Sequence, residues 1–441
     1  MFRFTDLVIF RMTKACNLNC KYCFMLDRPP NVPNNYIKQE MLERIIDQII
    51  AQRVIQGLQQ YELSLVLHGG EVLILGKERL TRILEYITTQ FNKYGIHFNL
   101  GTQTNGILLD EEMIALLVKY NVSIGMSFDG VGGGNDSRTS VKVQAYEKSF
   151  DTLNKYGARY GFIMVASKNN VDTLPESQRY LEALNPSGEY KINYAEDMVN
   201  YGTEDSIELD GSEFFERVYK PELENLIKTG ITYDSELREM IRDAILDIAT
   251  DHSRVSYSGC GSKSCGSALH MIAIEPDGDM DICDRFSRKF DDPQIHMMHA
   301  LDYDFLGIHQ IRRALEFHTS NHHVILETGC DDCPADYMCK HGCMSFHYSK
   351  HNQQWGLEKN LVCGIYQNLF QYIREHIVEL LTASILSFGG EFPIHTIEEI
   401  YRIVPEVQQY LLDNFIEVRL DTTASSTDSI LRFSLTNHKG E

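Results

Sequence analysis

Hydrophobic and polar positions alternate along the first half of the chain in two different rhythms. Short runs of β-branched and apolar residues are separated by longer stretches in which apolar residues recur with the period of a helix. In the stretch 39–58, for example, Leu42, Ile45, Ile46 and Ile49 fall on one helical face. This alternation predicts βα units and a parallel sheet. The predicted strands cover residues 7–12, 63–67, 96–103, 122–128, 160–166 and 190–195, and the helices between them cover residues 39–58, 77–94, 111–120, 145–156 and 171–184.

Six strands with intervening helices predict an α/β fold, a partial (β/α)6 TIM-like barrel. In such barrels the carboxyl ends of the strands meet at one face, so chemistry is expected in the loops that follow the strands. Residues 200–211 are polar and acidic without periodicity, and two amphipathic helices are predicted over 212–228 and 235–249. The predicted domains are the barrel at 1–200, bridging helices at 201–255, a cysteine-rich domain at 256–370 and a C-terminal extension at 371–441. Near the C-terminus the pattern predicts a helix from residue 363 to about 386, a helical segment at 396–414, a polar linker at 422–428 and a strand at 430–435.

The loop after the first predicted strand carries three closely spaced cysteines. Cys16, Cys20 and Cys23 form a C-x3-C-x2-C run. Three thiolates on one short loop can hold three irons of a [4Fe-4S] cluster and leave the fourth iron open for a substrate or cofactor. Zinc is the alternative, but zinc sites usually show paired C-x2-C units and a fourth Cys or His close by, which this run lacks. The spacing therefore indicates an iron-sulfur cluster with an open iron.

Composition and charge narrow the class of protein. The chain of 441 residues is long enough for two domains, or for one large domain with appendages. Its formal net charge of −21 argues against nucleic acid as a partner, because phosphate binding needs a basic face. The chain shows neither an apolar run long enough for a membrane span nor a signal peptide, so we predict a cytoplasmic protein that does not bind a membrane. Eleven cysteines in such a chain indicate metal ligands rather than disulfides.

Further candidate residues follow the second, third and fourth predicted strands. Glycines after the second strand allow a close backbone approach to a ligand, and exposed main-chain groups there can bind a charged amino acid. A serine hydroxyl suits a ribose, and an arginine fork suits a carboxylate. The same positions would also be explained by ordinary turn chemistry, since Gly-Gly, Asn-Gly and Asp-Gly are common turn dipeptides. These candidates are Gly69, Gly70, Glu71, Asn105, Ser127 and Arg138.

The remaining eight cysteines all lie in the second half of the chain. Their spacing alone is compatible with two zinc sites or with two iron-sulfur clusters, because both kinds of site use C-x2-C pairs. Among them, residues 270–274 and 280–283 predict a hairpin with a tight turn. The eight are Cys260, Cys265, Cys283, Cys330, Cys333, Cys339, Cys343 and Cys363.

The first cysteine run, with the aromatic Tyr22 before its last cysteine, resembles the signature of the radical S-adenosylmethionine (SAM) enzymes. The resemblance implies that SAM completes the open iron and that its one-electron reduction gives a 5′-deoxyadenosyl radical, which takes a hydrogen atom from the substrate. The family carries Gly-Gly-Glu-Pro after the second strand, where this chain has Val72 in place of proline. With the strand-end residues, the candidate SAM-binding set becomes Tyr22, Gly69, Gly70, Glu71, Asn105, Ser127 and Arg138.

The cysteines of the second half resemble the pattern of the SPASM domain, an extension found in anaerobic sulfatase-maturating enzymes and in peptide-modifying radical SAM enzymes. The resemblance implies two auxiliary [4Fe-4S] clusters that take electrons from the substrate, so that three [4Fe-4S] clusters would use all eleven cysteines. It assigns Cys260, Cys265, Cys283 and Cys343 to the first auxiliary cluster, and Cys330, Cys333, Cys339 and Cys363 to the second.

Asp284 directly follows Cys283 and matches the carboxylate that acts as general base in the sulfatase maturases. A carboxylate beside a cluster could accept the proton that is released when a substrate radical is oxidised. An aspartate after a hairpin strand is also an ordinary solvated turn residue, and that interpretation stays open here.

These resemblances imply an enzyme, a radical SAM/SPASM maturase that modifies a ribosomally synthesised peptide by forming a carbon-carbon or thioether crosslink. Its partners would be a peptide or protein substrate and a low-potential electron donor of the flavodoxin or ferredoxin type. One alternative is a sulfatase-type maturase that oxidises Cys or Ser to formylglycine, with Asp284 as an essential base; another is a small-molecule dehydrogenase. From a different class, a zinc-stabilised interaction protein would have no use for Gly70, Ser127 and Arg138.

Overall fold

The computed structural model describes most of the first half of the chain and parts of the second. The chain forms two compact units that alternate along the sequence. The first contains Met1–Leu209, Tyr257–Cys330 and Cys343–Asn360, and the second contains Asp210–Ser256, Asp331–Gly342 and Leu361–Glu441. The division into four domains at the predicted boundaries stays a prediction. The described residues are 5–25, 36–138, 143–184, 189–197, 200, 203–249, 265–286, 295–302, 316–317, 329–330, 332–335, 339, 341–349, 354–355, 362–387, 392–393, 416–421 and 430–435.

The first unit is built on a nine-stranded sheet that begins with six parallel strands. Their order in the sheet is β6-β5-β4-β3-β2-β1, so neighbours in sequence are also neighbours in space, as in a barrel built from successive βα units. The predicted fold class, an α/β open barrel with a parallel sheet, is confirmed. The six strands are β1 (Leu7–Arg11), β2 (Leu63–His68), β3 (Phe98–Thr104), β4 (Val122–Ser127), β5 (Tyr160–Ala166) and β6 (Tyr190–Tyr194).

Five helices connect these strands, and each lies where the helical period predicted one. Apolar residues at helical spacing form the buried face; in the second helix they include Leu80, Ile83, Leu84 and Ile87. The third helix begins where the Asp110 carboxylate accepts a hydrogen bond from the Met113 amide, at 2.8 Å. The helices are α1 (Gln39–Ile55), α2 (Gly76–Lys93), α3 (Glu111–Lys119), α4 (Gln144–Lys155) and α5 (Leu174–Leu184).

A hairpin from the cysteine-rich region extends the barrel sheet beyond β1. Strand β7 (Met271–Ile274) pairs in parallel with β1, and β8 (Asp279–Asp281) pairs with β7 in antiparallel fashion, followed by β9 (His296–His299). The hairpin itself was predicted from its turn. Its pairing with β1 was not predicted, because local alternation does not specify which strand will be a neighbour.

The second unit is mainly helical in its described part. Helices cover Gly211–Phe214, Lys220–Thr229, Ser235–Ala249, Cys363–Glu375 and Ile377–Ser387. The predicted helix 212–228 is interrupted by a π-helical turn at Phe215–Tyr219, and the helix after Cys363 breaks at His376. The predicted strand Ile430–Leu435 is confirmed and pairs with Ile416–Asp421. The predicted helical segment 396–414 and linker 422–428 lie outside the described residues.

A few short elements complete the described structure. In the first unit these are the helix Met344–His347 and the two-stranded ladder of Tyr348–Ser349 with Gln354–Trp355. In the second unit Phe392–Pro393 pairs with Ile430–Leu435. None of the helices in the described ranges is both long enough and apolar enough to cross a bilayer.

Candidate active site

The loops that follow the first four strands surround one cavity of about 280 Å³ in the first unit. The cysteine loop after β1 forms one wall, and the ends of β2, β3 and β4 form another. Residues from β5 and from the end of β6 also contribute, as do residues 284 and 285, which follow the hairpin of β7 and β8. Of the predicted site residues, those in the lining are Cys16, Cys20, Tyr22, Cys23, Gly69, Gly70, Asn105, Ser127, Arg138 and Asp284.

The two glycines after β2 let this loop lie directly against the backbone of the cysteine loop. The Gly70 amide donates to the Thr13 carbonyl at 2.7 Å, and the Glu71 amide donates to the Ala15 carbonyl at 2.8 Å. A Cβ at Gly69 would lie 2.3 Å from the Thr13 carbonyl oxygen, and one at Gly70 would lie 2.1 Å from that of Ala15. The two glycines were expected to let the backbone approach a ligand. In the structure they let it approach the cysteine loop.

Gly70→Ala is expected to displace the cysteine loop, because the added methyl group overlaps backbone atoms that cannot rotate away. We expect a loss of about 1–3 kcal/mol in the free energy of unfolding and a lower iron content after reconstitution. The matched control is Gly101→Ala in β3, whose Cβ would meet its nearest neighbours at 3.7 and 3.8 Å, an ordinary contact distance. Urea unfolding and iron analysis measure both effects; equal values for the two variants would contradict this account.

Glu71 lies behind the cavity wall rather than in it. Its side chain is buried, and its carboxylate accepts hydrogen bonds from the Leu73 amide at 3.0 Å, from the Thr104 hydroxyl at 2.8 Å and from the Asn105 amide at 2.7 Å. Burial raises the pKa of this carboxyl, and these hydrogen bonds oppose the rise. The residue thus joins the end of β2 to the end of β3, and a direct contact of Glu71 with SAM stays a prediction.

Tyr22 and Arg138 meet at a buried aspartate that the sequence did not suggest. The Tyr22 hydroxyl donates to Asp129 and accepts a hydrogen bond from Arg138 at 2.7 Å, and Arg138 lies 3.8 Å from the Asp129 carboxylate. Burial raises the pKa of Asp129, while the Arg138 charge opposes that rise. Arg138 is only 8% exposed, yet its Nε atom has no hydrogen-bond partner among the described residues. A buried donor of this kind in a cavity wall is suited to an anionic ligand.

Two polar residues on the strand ends hold each other at the cavity surface. The Gln103 amide donates to the Ser127 hydroxyl at 2.8 Å, which aligns the end of β3 with the end of β4. Asn105 donates to the side chain of Asn17 at 2.7 Å and so reaches the cysteine loop. The predicted ribose-binding serine therefore lies in the wall with its hydroxyl oriented by a neighbouring strand.

Asp284 lies in the same cavity wall and is held by two basic side chains. Its Oδ1 atom accepts from Arg11 Nε at 2.9 Å, and its Oδ2 atom lies 3.0 Å from His68 Nδ1. Burial opposes ionisation of this carboxyl, but the neighbouring His68 and Arg11 outweigh it and hold the pKa well below its usual range. The predicted catalytic aspartate is thus brought to the cysteine loop although more than half the chain separates them in sequence.

Arg11 organises this side of the cavity from a fully buried position at the end of β1. Its guanidinium pairs with Glu275, with Asp281 at 3.4 Å and with Asp284, and it also donates to the Phe286 carbonyl at 2.5 Å. The three carboxylates belong to the hairpin region, whose strand β7 pairs with β1. A charged residue inside the apolar run 7–12 was the available sequence signal, since such residues are rarely buried without partners.

The auxiliary cysteines are only partly described. In the first unit Cys265 and Cys283 pack in one hydrophobic cluster, and burial raises the pKa of Cys265, with the neighbouring Cys343 adding to the rise. In the second unit Gln367, one turn after Cys363 on the same helix, donates to Cys333 at 3.5 Å. Cys260 lies outside the described residues. The assignment of eight cysteines to two clusters, and the SPASM domain, stay predictions.

Residues 10–181 match the Radical SAM superfamily, and this span contains the cysteine loop and the strand ends that form most of the cavity. The chain carries a radical SAM domain and is an enzyme, as the sequence predicted.

Two relatives extend the likeness beyond that domain. The cysteine-type anaerobic sulfatase-maturating enzyme of Clostridium perfringens (strain 13 / Type A) is 23% identical over 404 residues, which cover 85% of this chain and 98% of that enzyme. The radical SAM cyclopropyl synthase TigE of Paramaledivibacter caminithermalis is 24% identical over 392 residues, covering 82% of this chain and 73% of that protein.

Solved structures of two proteins share the fold. Native anSMEcpe with bound AdoMet, which is SAM, superimposes with a TM-score of 0.66 at 19% identity, covering 86% of this chain and 98% of that chain. SuiB of Streptococcus suis, solved with its precursor peptide SuiA, gives a TM-score of 0.54 at 16% identity, covering 82% and 76%. At these identities the likeness establishes the fold alone.

The residues of the cavity fit the cofactors of a radical SAM domain, SAM and one [4Fe-4S] cluster. Cys16, Cys20 and Cys23 line one space, as three ligands of one cluster must. The Nε atom of Arg138, which has no partner in the part of the chain that the structure describes, can donate to a carboxylate. In the described residues no three Cys, His, Asp or Glu side chains are grouped as ligands of a single metal ion. A cubane cluster instead takes each cysteine on a separate iron.

Proposed function

We propose that this enzyme is a radical SAM maturase that oxidises a side chain of a peptide or protein. The observation that carries the proposal is the shared cavity: the cysteine loop, the strand-end residues and the carboxylate of Asp284 line the same space. A substrate bound there would lie next to the acceptor of its hydrogen atom and next to the Asp284 carboxylate, which can assist the loss of a proton.

Each part of the cavity has a separate role in this proposal. Cys16, Cys20 and Cys23 hold the cluster, while Arg138 and Ser127 hold SAM. When bound and reduced, SAM supplies a 5′-deoxyadenosyl radical that abstracts a hydrogen atom from the substrate. The protein orients the substrate and excludes water. The eight later cysteines would hold two auxiliary iron-sulfur clusters able to accept the electron that leaves the substrate, and a low-potential flavodoxin or ferredoxin would supply the electron that starts the reaction.

A peptide substrate is supported from two directions. Structures of anSMEcpe with the Cp18Cys peptide and of SuiB with the precursor peptide SuiA show that two proteins of this fold bind peptides. In this chain, the cavity wall includes the Arg285 guanidinium, which lies 5.4 Å from the Phe24 ring and 5.2 Å from the Phe346 ring. Arg285 also lies 3.4 Å from Glu196. A wall of rings and opposite charges suits a peptide, which presents both apolar side chains and polar main-chain groups.

The product we propose is a carbon-carbon or thioether crosslink within the peptide. A second candidate is the oxidation of Cys or Ser to formylglycine, and it is favoured by one observation, the placement of Asp284 in the cavity wall. The two products are distinguished by mass and by the number of side chains altered: a crosslink joins two residues with loss of two hydrogen atoms, whereas formylglycine changes one residue.

Asp284→Asn is expected to stop product formation and to leave SAM cleavage intact. The neutral amide cannot stabilise the positive charge of the proton that leaves the substrate. We expect a fall in product of about 10²–10⁴-fold. The assay uses anaerobically reconstituted protein, a chemical or flavodoxin reductant, and two probes, Cp18Cys and SuiA, with 5′-deoxyadenosine and peptide mass measured in parallel.

The matched control is Asp277→Asn, which alters an exposed aspartate of the same hairpin. If Asp284→Asn formed product at the wild-type rate, Asp284 would have no role in the reaction. Failure of the wild-type protein to alter either peptide, while it cleaves SAM, would contradict the proposed function itself.

A further inference from the structure

His68 is the last residue of β2 and directly precedes the two glycines of the cavity wall. Its side chain is 18% exposed and lines the cavity together with Cys16 and Gly70. No local pattern singles out this histidine, which stands alone at the end of a predicted strand. Its place between the cysteine loop and Asp284 appears only in the folded chain.

The partner of His68 determines which ring nitrogen carries hydrogen. Nδ1 lies 3.0 Å from the Asp284 carboxylate, which can only accept a hydrogen bond when it is ionised. When the ring carries one hydrogen, Nδ1 bears it and Nε2 presents a lone pair. Among the described residues, Nε2 has no hydrogen-bond partner.

Asp284 is less free to reach a substrate than His68 is. One of its oxygens is bound by Arg11 Nε at 2.9 Å, the other faces His68, and its main-chain carbonyl also accepts a hydrogen bond from Arg11. Moving the carboxylate toward the cavity would break its pairing with a fully buried guanidinium. The imidazole, in contrast, can accept a proton without leaving its place.

We infer that His68 is a catalytic residue whose Nε2 takes the proton released by the substrate, with Asp284 and Arg11 as positioning residues. The inference rests on the proposed function. The arrangement is that of a base oriented by a carboxylate, in which the carboxylate fixes the tautomer and stabilises the imidazolium that forms.

Loss of one hydrogen atom breaks a C–H bond and leaves a substrate radical. Formation of the closed-shell product from this radical releases one electron and one proton, from the carbon or heteroatom that gains the new bond. The electron leaves to an acceptor of the iron-sulfur class, and the proton goes to Nε2 of His68. The positive charge of the ring is then neutralised by Asp284.

The test compares His68→Asn and His68→Ala with the exposed control His97→Asn. Asparagine can keep the hydrogen bond to Asp284 but cannot accept a proton, so it separates orientation from proton transfer. With Cp18Cys and SuiA as probes, we expect 5′-deoxyadenosine to form at the wild-type rate in both His68 variants while product falls about a hundredfold or more. SAM binding, measured by anaerobic equilibrium dialysis, should equal that of the wild-type protein.

Imidazole rescue separates a chemical role from a structural one. Added imidazole should restore part of the product formation in His68→Ala, where a space is left for it, and should not do so in Asp284→Asn. Product formation at the wild-type rate in His68→Asn, or no rescue of a folded, SAM-binding His68→Ala, would overturn the inference and leave the proposed function standing. A wild-type protein that alters neither peptide overturns both.

Discussion

Replacing Cys16, Cys20 and Cys23 together with alanine is expected to remove about four irons per chain and to reduce SAM cleavage to background. All three thiols line the cavity, and the short loop that carries them is fixed to the end of β2 by backbone hydrogen bonds. Without its cluster the site has no route for the electron that SAM cleavage requires. Iron analysis, the EPR spectrum of the reduced protein and 5′-deoxyadenosine formation measure the three consequences.

The matched control is the triple alanine variant of Cys265, Cys283 and Cys343, which the SPASM resemblance assigns to an auxiliary cluster. This variant should also lose iron but should still cleave SAM, because these cysteines are outside the cavity lining. Equal loss of SAM cleavage in both variants, in proteins with unchanged circular dichroism, would show that the two sets of cysteines do not have separate roles.

Arg11→Met is expected to lower the free energy of unfolding by about 3–5 kcal/mol, since it leaves buried carboxylates without their shared cation. Glu275 and Asp281 are each no more than 1% exposed, so neither carboxylate can be stabilised by water after the substitution. The same change frees Asp284 from one of its two partners. Urea unfolding monitored by circular dichroism under anaerobic conditions measures the loss.

Arg82→Met is the control, because it removes an arginine from an exposed ion pair instead of a buried one. Arg82 pairs with Glu78 on the exposed face of α2, with side chains 54% and 89% exposed, where an ion pair contributes about 0.5 kcal/mol at most. If Arg11→Met were no less stable than Arg82→Met, the buried cluster would have to be neutral in the folded state, contrary to the pairing described here.

The site was predictable wherever its residues are close in sequence or repeat a strand-end position. Cys16, Cys20 and Cys23 were predicted as cluster ligands from their spacing on one loop, and all three line the cavity. Gly70 and Ser127 are found because each follows a strand whose alternation is clear, and parallel strands bring their carboxyl ends to one face. The strands and helices of the barrel followed from the same periodicity, with small differences at their ends.

Other features depended on pairings that no local pattern contains. The helix predicted over 212–228 is broken by a π-helical turn, which its apolar period did not reveal. Asp129 looked like one half of an Asp-Gly turn, yet it is the buried partner of Tyr22 and Arg138. Glu71 also joins the ends of two strands, a role that its place in a Gly-Gly-Glu turn did not reveal.

By itself the sequence determined the class of fold and the presence of a radical SAM domain, and it predicted the cluster loop, because these depend on residue spacing and on the periods of helices and strands. Only the tertiary structure decided that β7 lies beside β1, and hence that Asp284 meets the buried Arg11 and His68 beside the cavity. The physical reason is that strand pairing is set by the burial of complete faces and by the satisfaction of buried charges. Both are properties of residues far apart along the chain.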